Sequence, residues 1–348
     1  MPSGPDEFKD LDFELPRERI AQHPIPERDE SRLLVLDRAA GTLTHRRFRD
    51  LPDLLAPGDL VVRNVSRVIP ARLRGHKATG GRVEALLLAA VPDAGGAWPA
   101  LLRTRGRARA GLVLHFRGAG GEATAEVAEL RSGGEVVLRF RDGADPLALG
   151  EPPLPPYIRG GHAEPEDRER YQTVYAREPG SVAAPTAGLH MTETLLDRLR
   201  RRGVALSDVV LHVGPGTFRP VDERSLREGR LHREPYRLPE ATARAVREAR
   251  ARGGRVVAIG TTTARVLETR ATPDGFVAAG EGTTELFLRP GSAFRVVDAL
   301  VTNFHLPRSS LLLLVAAFAG RERIREAYAE ALRSGYRFYS YGDAMLIL

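Results

Sequence analysis

The sequence predicts a mixed α/β fold, with a large barrel-containing α/β domain and a smaller inserted antiparallel β-barrel-like domain. Two observations support the two-part organisation. Residues 151–348 alternate helical and strand patterns, which is typical of an α/β domain. Residues 73–150 instead carry short alternating segments separated by paired glycines, which is typical of antiparallel strands joined by turns. We therefore expect residues 1–72 and 151–348 to form one discontinuous domain, with residues 73–150 inserted as a β domain.

The large domain opens with short strands and closes with alternating helices and strands. Thr192 and Glu193 mark the start of an arginine-rich helix, and Gly203 marks its end. The apolar run 311–319 is too short for a membrane span and is predicted as a buried strand or helix. The predicted strands are 33–37, 42–45, 60–62, 83–88, 112–116, 123–130, 135–140, 209–213 and 255–259. The predicted helices are 51–55, 191–202, 239–252, 263–269 and 321–334.

Composition limits the classes of function. The 348 residues include no cysteine, which excludes disulfides, thiolate metal sites and cysteine nucleophiles. The polar, acidic start is unlike a secretory signal, so a cytoplasmic location is expected. The net charge is +7, and lysine occurs only at Lys9 and Lys77, so arginine supplies nearly all positive charge. This excess is compatible with a nucleic-acid partner, although composition alone favours a genome rich in arginine codons as the explanation.

Several common catalytic motifs are absent from the sequence. It has no phosphate-binding Gly-x-x-x-x-Gly-Lys-Ser/Thr loop and no Gly-x-Gly-x-x-Gly motif after a strand. It has no His-Glu-x-x-His helix and no Gly-x-Ser-x-Gly turn. These absences argue against P-loop hydrolases, Rossmann dehydrogenases, zinc proteases and serine hydrolases.

Four loops combine small and polar residues where ligands commonly bind. Residues 181–190 are small and lead into a helix, where free N–H groups attract anions, although a structural turn explains them equally. Residues 211–218 follow a strand and contain His212, which alone would more often be a core histidine.

The other two loops extend the same pattern. Residues 258–265 run from a strand through Gly260 into a helix start, which fits either anion binding or plain capping. Residues 298–307 place Asn303 and His305 at the end of a strand, where His305 could simply terminate it. Together the four loops predict a pocket for a zwitterionic or nucleoside-like molecule.

These loops resemble the S-adenosylmethionine:tRNA ribosyltransferase-isomerase family, and the resemblance extends from about Asp12 onward. Only the inserted β region matches poorly. The sequence differs mildly from the family's usual residues at Met191, Arg63–Ser66 and Thr263-Ala264. The matching segments are FELP (13–16), RVIPARL (67–73), LPPYI (154–158), YQTVY (171–175), VAAPTAGLH (182–190), LHVGPGTF (211–218), GTT (260–262), VDALVTNFHLP (297–307) and YSYGDAM (339–345).

The resemblance implies a specific transferase activity in queuosine biosynthesis. S-adenosylmethionine would donate its ribosyl moiety to 7-aminomethyl-7-deazaguanine at the wobble position of a tRNA with a GUN-type anticodon. The products would be epoxyqueuosine-tRNA, adenine and methionine. S-adenosylmethionine would be consumed as a substrate, with no separate cofactor and no metal. A monomer without a membrane partner is expected.

This chemistry needs acid–base groups and tight positioning. We hypothesise that His212 and His190 transfer protons and that Arg265 binds the methionine carboxylate beside Thr261 and Thr262. Asn303 and His305 would hold adenine or the deazaguanine. The full set of expected substrate-binding residues is Thr186, Gly188, Gly214, Gly216, Thr217, Gly260, Thr261, Thr262, Arg265, Asn303 and His305.

A basic groove for tRNA is expected from five arginines, with surface ion pairs as the alternative. Two other functions remain open: an S-adenosylmethionine-dependent tRNA methyltransferase and a non-catalytic tRNA-binding protein. The absence of an early glycine-rich Rossmann loop argues against the methyltransferase. The clustered polar loops argue against a pure binder. The five expected tRNA contacts are Arg67, Arg72, Arg74, Arg198 and Arg201.

Overall fold

The structure is a computed structural model that describes residues 7–141, 143–218 and 223–348, without the side chains of Thr217 and Phe218. The chain forms two compact units. The sheet unit contains the chain up to Val65, Thr173–Ala176 and Pro185–Leu348. The barrel unit contains Ser66–Gln172 and Arg177–Ala184. The barrel unit thus has wider bounds than the predicted insert, because flanking segments pack with its strands.

The strands and helices are numbered in chain order. The strands are β1 (Arg32–Asp37), β2 (Thr42–Arg47), β3 (Leu60–Asn64), β4 (Ser66–Val68), β5 (Arg72–Lys77), β6 (Arg82–Leu87), β7 (Ala97–Thr104), β8 (Val113–Gly118), β9 (Gly121–Leu130), β10 (Glu135–Phe140), β11 (Glu178–Ser181), β12 (Ala205–Leu211), β13 (Arg230–Leu238), β14 (Val256–Ile259), β15 (Gly280–Leu286), β16 (Ala299–Asn303) and β17 (Ala344–Ile347). The helices are α1 (Leu51–Leu54), α2 (Pro146–Leu149), α3 (Asp167–Arg170), α4 (Glu193–Arg201), α5 (Glu223–Glu228), α6 (Glu240–Ala251), α7 (Thr261–Thr269), α8 (Ser310–Ala319) and α9 (Arg321–Arg333).

The sheet unit is built on a mixed sheet whose described strands follow the order β15-β13-β12-β3-β14-β16-β17-β1-β2. Four adjacent strands, β12, β3, β14 and β16, run parallel. Strands β3, β14 and β16 are buried along their whole length, as expected for parallel strands covered on both faces. Because parallel strands end at one edge, the loops after these four strands meet there.

Helices cover this sheet with apolar faces. In α4, Leu195, Leu196 and Leu199 are buried in the main core, and the Thr192 hydroxyl caps the helix by accepting from the Leu195 N–H. The apolar run that predicted a strand or a helix is helix α8, which is buried over most of its length. None of the described helices is long and apolar enough to cross a membrane.

The barrel unit contains a closed antiparallel barrel in the order β10-β7-β6-β5-β8-β9. Its interior is filled by side chains that include Trp98, Leu114 and Phe116. Gly75 allows two strands to approach closely, because a Cβ there would lie 2.1 Å from the His115 carbonyl oxygen. The prediction of a mixed α/β fold with an inserted antiparallel barrel is confirmed.

Several predicted element bounds were wrong. The strand predicted at 209–213 is β12, which ends at Leu211, and the helix predicted from residue 263 is α7, which begins at Thr261. The earlier helix start follows from Gly260, whose φ of 87° turns the chain directly out of β14. Strands β5, β7, β13 and β15 were not predicted, because arginine, proline and glycine interrupt their apolar alternation.

Candidate functional site

Three of the loops identified in the sequence, together with residues 185–190 of the fourth, lie at the carboxyl edge of the sheet, and Asn64 joins two of them. Its side-chain amide donates to the Leu211 carbonyl, and its oxygen accepts from the Leu211 N–H, both at 3.0 Å. The same amide lies 3.3 Å from the Thr262 hydroxyl. A fully buried asparagine at the end of β3 therefore links the loop after β12 to the start of α7.

A buried ion pair forms a second link between these loops. The Arg265 guanidinium, on α7, contacts the Glu234 carboxylate, and Glu234 is fully buried on β13. The Gly214 N–H donates to Glu234 at 3.0 Å, and His232 Nε2 lies 3.1 Å from the same carboxylate. Burial alone would raise the pKa of Glu234, but His232 and Arg265 lower it to about 2. Glu234 is therefore a buried carboxylate that stays ionised.

The two glycines of the loop after β12 leave room for the His232 ring. A Cβ on Gly216 would lie 2.4 Å from His232 Nδ1, and a Cβ on Gly214 would lie 3.8 Å from the ring. The His232 side chain keeps 35% exposure, although its carboxylate partner has none. An imidazole with one face towards solvent and one nitrogen on a buried carboxylate is suited to proton transfer.

Close packing also fixes the loop 181–190. A Cβ on Gly188 would lie 2.1 Å from the Tyr175 hydroxyl, so only glycine fits there. The Tyr175 ring stacks under the Arg63 guanidinium at 4.4 Å, and Arg63 donates to Asp208 at 2.7 Å. A Cβ on Gly260 would meet Ala187 at 3.6 Å, which places this loop against the start of α7.

His190 lies inside the protein. It is 4% exposed, its Nδ1 is 2.8 Å from the Ser31 hydroxyl, and its ring packs on Phe48 at 4.9 Å. Burial lowers the pKa of His190 to about 3, and a hydrogen bond with Asn303 only partly offsets this. His190 is therefore a neutral imidazole near pH 7, and Asn303 brings the loop after β16 to it.

His305 is equally enclosed. Its Nε2 is 2.7 Å from the Thr302 hydroxyl, and its backbone N–H donates to the Tyr328 hydroxyl at 2.9 Å. Burial lowers the pKa of His305 to about 3. Asn303, also buried, donates to the Tyr339 carbonyl at 2.8 Å. These contacts hold the loop after β16 against the aromatic segment that precedes β17.

The remaining loop residues occupy more open positions. His212 is half-buried, and its backbone N–H donates to the Pro235 carbonyl at 2.9 Å. Thr186 is half-buried at the start of a 3₁₀ turn, whereas Thr261 is buried at the first position of α7. The Thr217 side chain lies outside the described part of the structure.

Arg265, which was expected to bind a substrate carboxylate, already has a buried partner, and its proposed role stays a prediction. Its guanidinium is 5% exposed, contacts Glu234, and donates to the Leu286 carbonyl at 3.2 Å. The buried Glu234 carboxylate therefore balances the charge of the Arg265 guanidinium. Sequence reasoning missed Glu234 and His232 because their strand, β13, was not predicted. The His-x-Glu alternation that puts both on one face of that strand was the available signal.

The five arginines expected to contact tRNA belong to two different units. In the barrel unit Arg67 is exposed, whereas Arg72 is buried and its guanidinium donates a hydrogen bond to the Gly161 carbonyl. Arg72 was therefore wrongly expected at the surface. Arg74 lies 3.2 Å from Glu151 and 3.6 Å from Glu84.

The other two arginines lie on α4 in the sheet unit. Arg198 donates to the Arg49 carbonyl at 2.8 Å and lies 3.5 Å from Asp53. Arg201 is exposed. A role for the exposed arginines in binding tRNA stays a prediction.

Comparison with known proteins identifies the family. The model of the family described as queuosine biosynthesis protein matches residues 8–347. The chain belongs to this family. A protein of Moorella thermoacetica named S-adenosylmethionine:tRNA ribosyltransferase-isomerase is 51% identical, over 98% of this chain and 99% of its own. A protein of the same name from Anaeromyxobacter dehalogenans strain 2CP-C is 54% identical, again over 98% and 99%.

A solved structure supports the same conclusion. The crystal structure of an S-adenosylmethionine tRNA ribosyltransferase from Thermotoga maritima matches with a TM-score of 0.56 and 39% identity. The match covers 98% of this chain and 100% of that one. The family resemblance stated from the sequence motifs is thereby confirmed.

Proposed function

We propose that this chain transfers and isomerises the ribosyl moiety of S-adenosylmethionine onto 7-aminomethyl-7-deazaguanine in tRNA, giving epoxyqueuosine-tRNA. Adenine and methionine are the other products. Full-length relatives bear the name of this activity. The observation that carries the proposal is the grouping of polar loops at one edge of the sheet unit, where Asn64 and Glu234 link the loop after β12 to the start of α7.

The reaction makes defined demands on protons. The acceptor amine forms a bond to the ribosyl carbon and loses a proton, and adenine leaves after gaining one. Methionine departs with the electron pair of its sulfonium–carbon bond as the epoxide closes, and one further proton, which balances the lost sulfonium charge, passes to a base. His232 is well placed for one proton transfer, because its Nε2 lies 3.1 Å from the Glu234 carboxylate while its ring remains partly exposed. His212, half-buried on the neighbouring loop, is the second candidate.

His190 and the first residues of α7 keep positioning roles in this proposal. His190 is neutral and buried, so it contributes hydrogen bonds rather than a proton. The free N–H groups at the start of α7, beside Thr261 and Thr262, suit the methionine carboxylate. S-adenosylmethionine is consumed as a substrate, and no separate cofactor or metal takes part.

The finer details of the partner are part of the same proposal. The tRNA carries a GUN-type anticodon, and the modified base is at the wobble position. The protein acts as a cytoplasmic monomer. The motif resemblance over most of the chain supports these statements.

Product analysis tests the function directly. The protein is incubated with S-adenosylmethionine and tRNA bearing the aminomethyl-deazaguanine, and the products are identified by mass spectrometry. Adenine, methionine and a nucleoside heavier by the ribosyl-derived group are expected. S-adenosylhomocysteine with a methylated nucleoside would identify a methyltransferase instead. Tight tRNA binding without any turnover would identify a binding protein.

A further inference from the structure

The outer face of the barrel carries a basic groove formed by β5, β6 and β7. The groove encloses about 480 Å³. Its lining contains four arginines and one carboxylate, so its net charge is strongly positive. The lining residues are Arg74, Gly75, Arg82, Val83, Glu84, Arg103, Thr104 and Arg105.

Strand pairing explains why these charges face outward together. Glu84 pairs with Arg74 on one side and with Arg103 on the other, so the three side chains share the outer face. Val83 and Ala85 alternate with them and fill the barrel interior. Residues two apart on a strand lie roughly 7 Å apart, so the groove presents a spaced row of cations.

Three of the four arginines are available to a ligand. Arg82, Arg103 and Arg105 are exposed, and their side chains form no ion pair or hydrogen bond within the described part of the chain. The Arg105 backbone is nevertheless held, because the Lys77 ammonium donates to its carbonyl at 2.6 Å. Arg74 differs, because Glu84 and Glu151 lie beside it.

We infer that this groove binds the phosphate backbone of the tRNA substrate. The inference rests on the proposed function, which supplies a polyanionic substrate much larger than the base that reacts. Guanidinium groups pair bidentately with phosphates, and exposed arginines without carboxylate partners are free to do so. Phosphate contacts position a nucleic acid without reading its sequence. The groove therefore holds the tRNA body, while the sheet unit carries out the chemistry.

The test removes three charges at once and compares two sets of positions. The groove variant is Arg82→Gln, Arg103→Gln, Arg105→Gln. The control variant is Arg117→Gln, Arg131→Gln, Arg139→Gln, which removes three exposed arginines of the same unit outside the groove lining. For each protein, adenine release gives kcat and the KM for tRNA, and direct binding gives Kd between 50 and 200 mM KCl. Thermal unfolding verifies that both variants are folded.

The expected result is specific to the groove variant. Its KM and Kd for tRNA should rise by at least about tenfold, and kcat at saturating tRNA should be unchanged. The slope of log Kd against log salt should fall by about 2–3, the number of lost phosphate contacts. The control variant should behave like the unmodified protein. Equal tRNA affinity in both variants would overturn the inference, whereas an unmodified protein that releases no adenine would refute the proposed function instead.

Discussion

Glu234 is an ionised carboxylate with no exposure, and its environment explains how the protein tolerates it. Arg265, the Gly214 N–H and His232 surround its two oxygens. A buried charge of this kind is stable only while its partners remain, because the interior cannot solvate it. The cluster therefore couples the stability of two loops to the placement of one imidazole.

Replacing Glu234 by Gln should destabilise the protein by about 3–5 kcal/mol, because it leaves the buried Arg265 charge uncompensated. Urea unfolding followed by circular dichroism measures the loss. Glu285→Gln is the matched control, because Glu285 pairs with Arg230 and Arg233 only at the surface, at 3.7 and 3.5 Å. The control should cost at most about 1 kcal/mol. Equal losses in the two variants would contradict the importance of the buried pair.

Histidine burial predicts an acid-sensitive fold. Burial lowers the pKa of His305 to about 3, whereas an unfolded histidine titrates near about 6.5. Between these values the unfolded chain binds more protons, so the free energy of unfolding should fall as the pH drops from about 6.5 towards 3. One histidine contributes up to roughly 1.4 kcal/mol per pH unit in this window.

The variant His305→Gln tests this pH dependence, since glutamine does not titrate. Its unfolding free energy, measured by urea titration at pH 6, 5 and 4, should decline less steeply than that of the unmodified protein. Exposed His76 on β5 supplies the control His76→Gln, which should keep the original slope. An unchanged slope in His305→Gln would show that His305 is protonated without cost in the folded state.

At the scale of elements, the site depends on strand ends that are joined by side chains. Asn64 completes the hydrogen bonding of Leu211 after the parallel ladder between β3 and β12 ends. The substitution Asn64→Ala would leave two buried backbone groups without partners. We expect a loss of about 2–4 kcal/mol in unfolding free energy and a loss of adenine release.

Thr262→Val is the control for Asn64→Ala, because it removes only the longer 3.3 Å contact. Its cost in unfolding free energy should stay below about 1.5 kcal/mol. A neutral Asn64→Ala variant would show that Leu211 satisfies its backbone groups in another way.

Helices and strands were predicted well where the local sequence pattern was strong. Strand β1 is a continuous apolar run and helix α9 has buried residues at helical spacing, and both were predicted within one residue. Strand β13 was missed because its alternation runs through arginines and Pro235, whose burial depends on neighbours distant in the chain. The loops were recognised from composition, but the contacts among Asn64, Glu234 and Arg265 required the three-dimensional register.

At the scale of the whole molecule, two units divide the sequence unequally. The sheet unit carries three of the four loops and residues 185–190 of the other, and the barrel unit carries the basic groove. Charge alone could not predict this division, because arginine is abundant in both units and many arginines form local ion pairs, as Arg255 does with Asp59. Only the three-dimensional structure distinguishes the arginines that form ion pairs from those that face solvent without a carboxylate partner.

Strand β17 lies inside the sheet, between β16 and β1, although it follows every other strand along the chain. During synthesis on the ribosome, the barrel strands all emerge before it, so the barrel can close early. The sheet cannot be completed until residues 344–347 leave the exit tunnel. Until then β16 and β1 each present an unpaired edge, a template for pairing with other nascent chains. An mRNA truncated before the codons for these residues would therefore yield an aggregation-prone protein with a folded barrel.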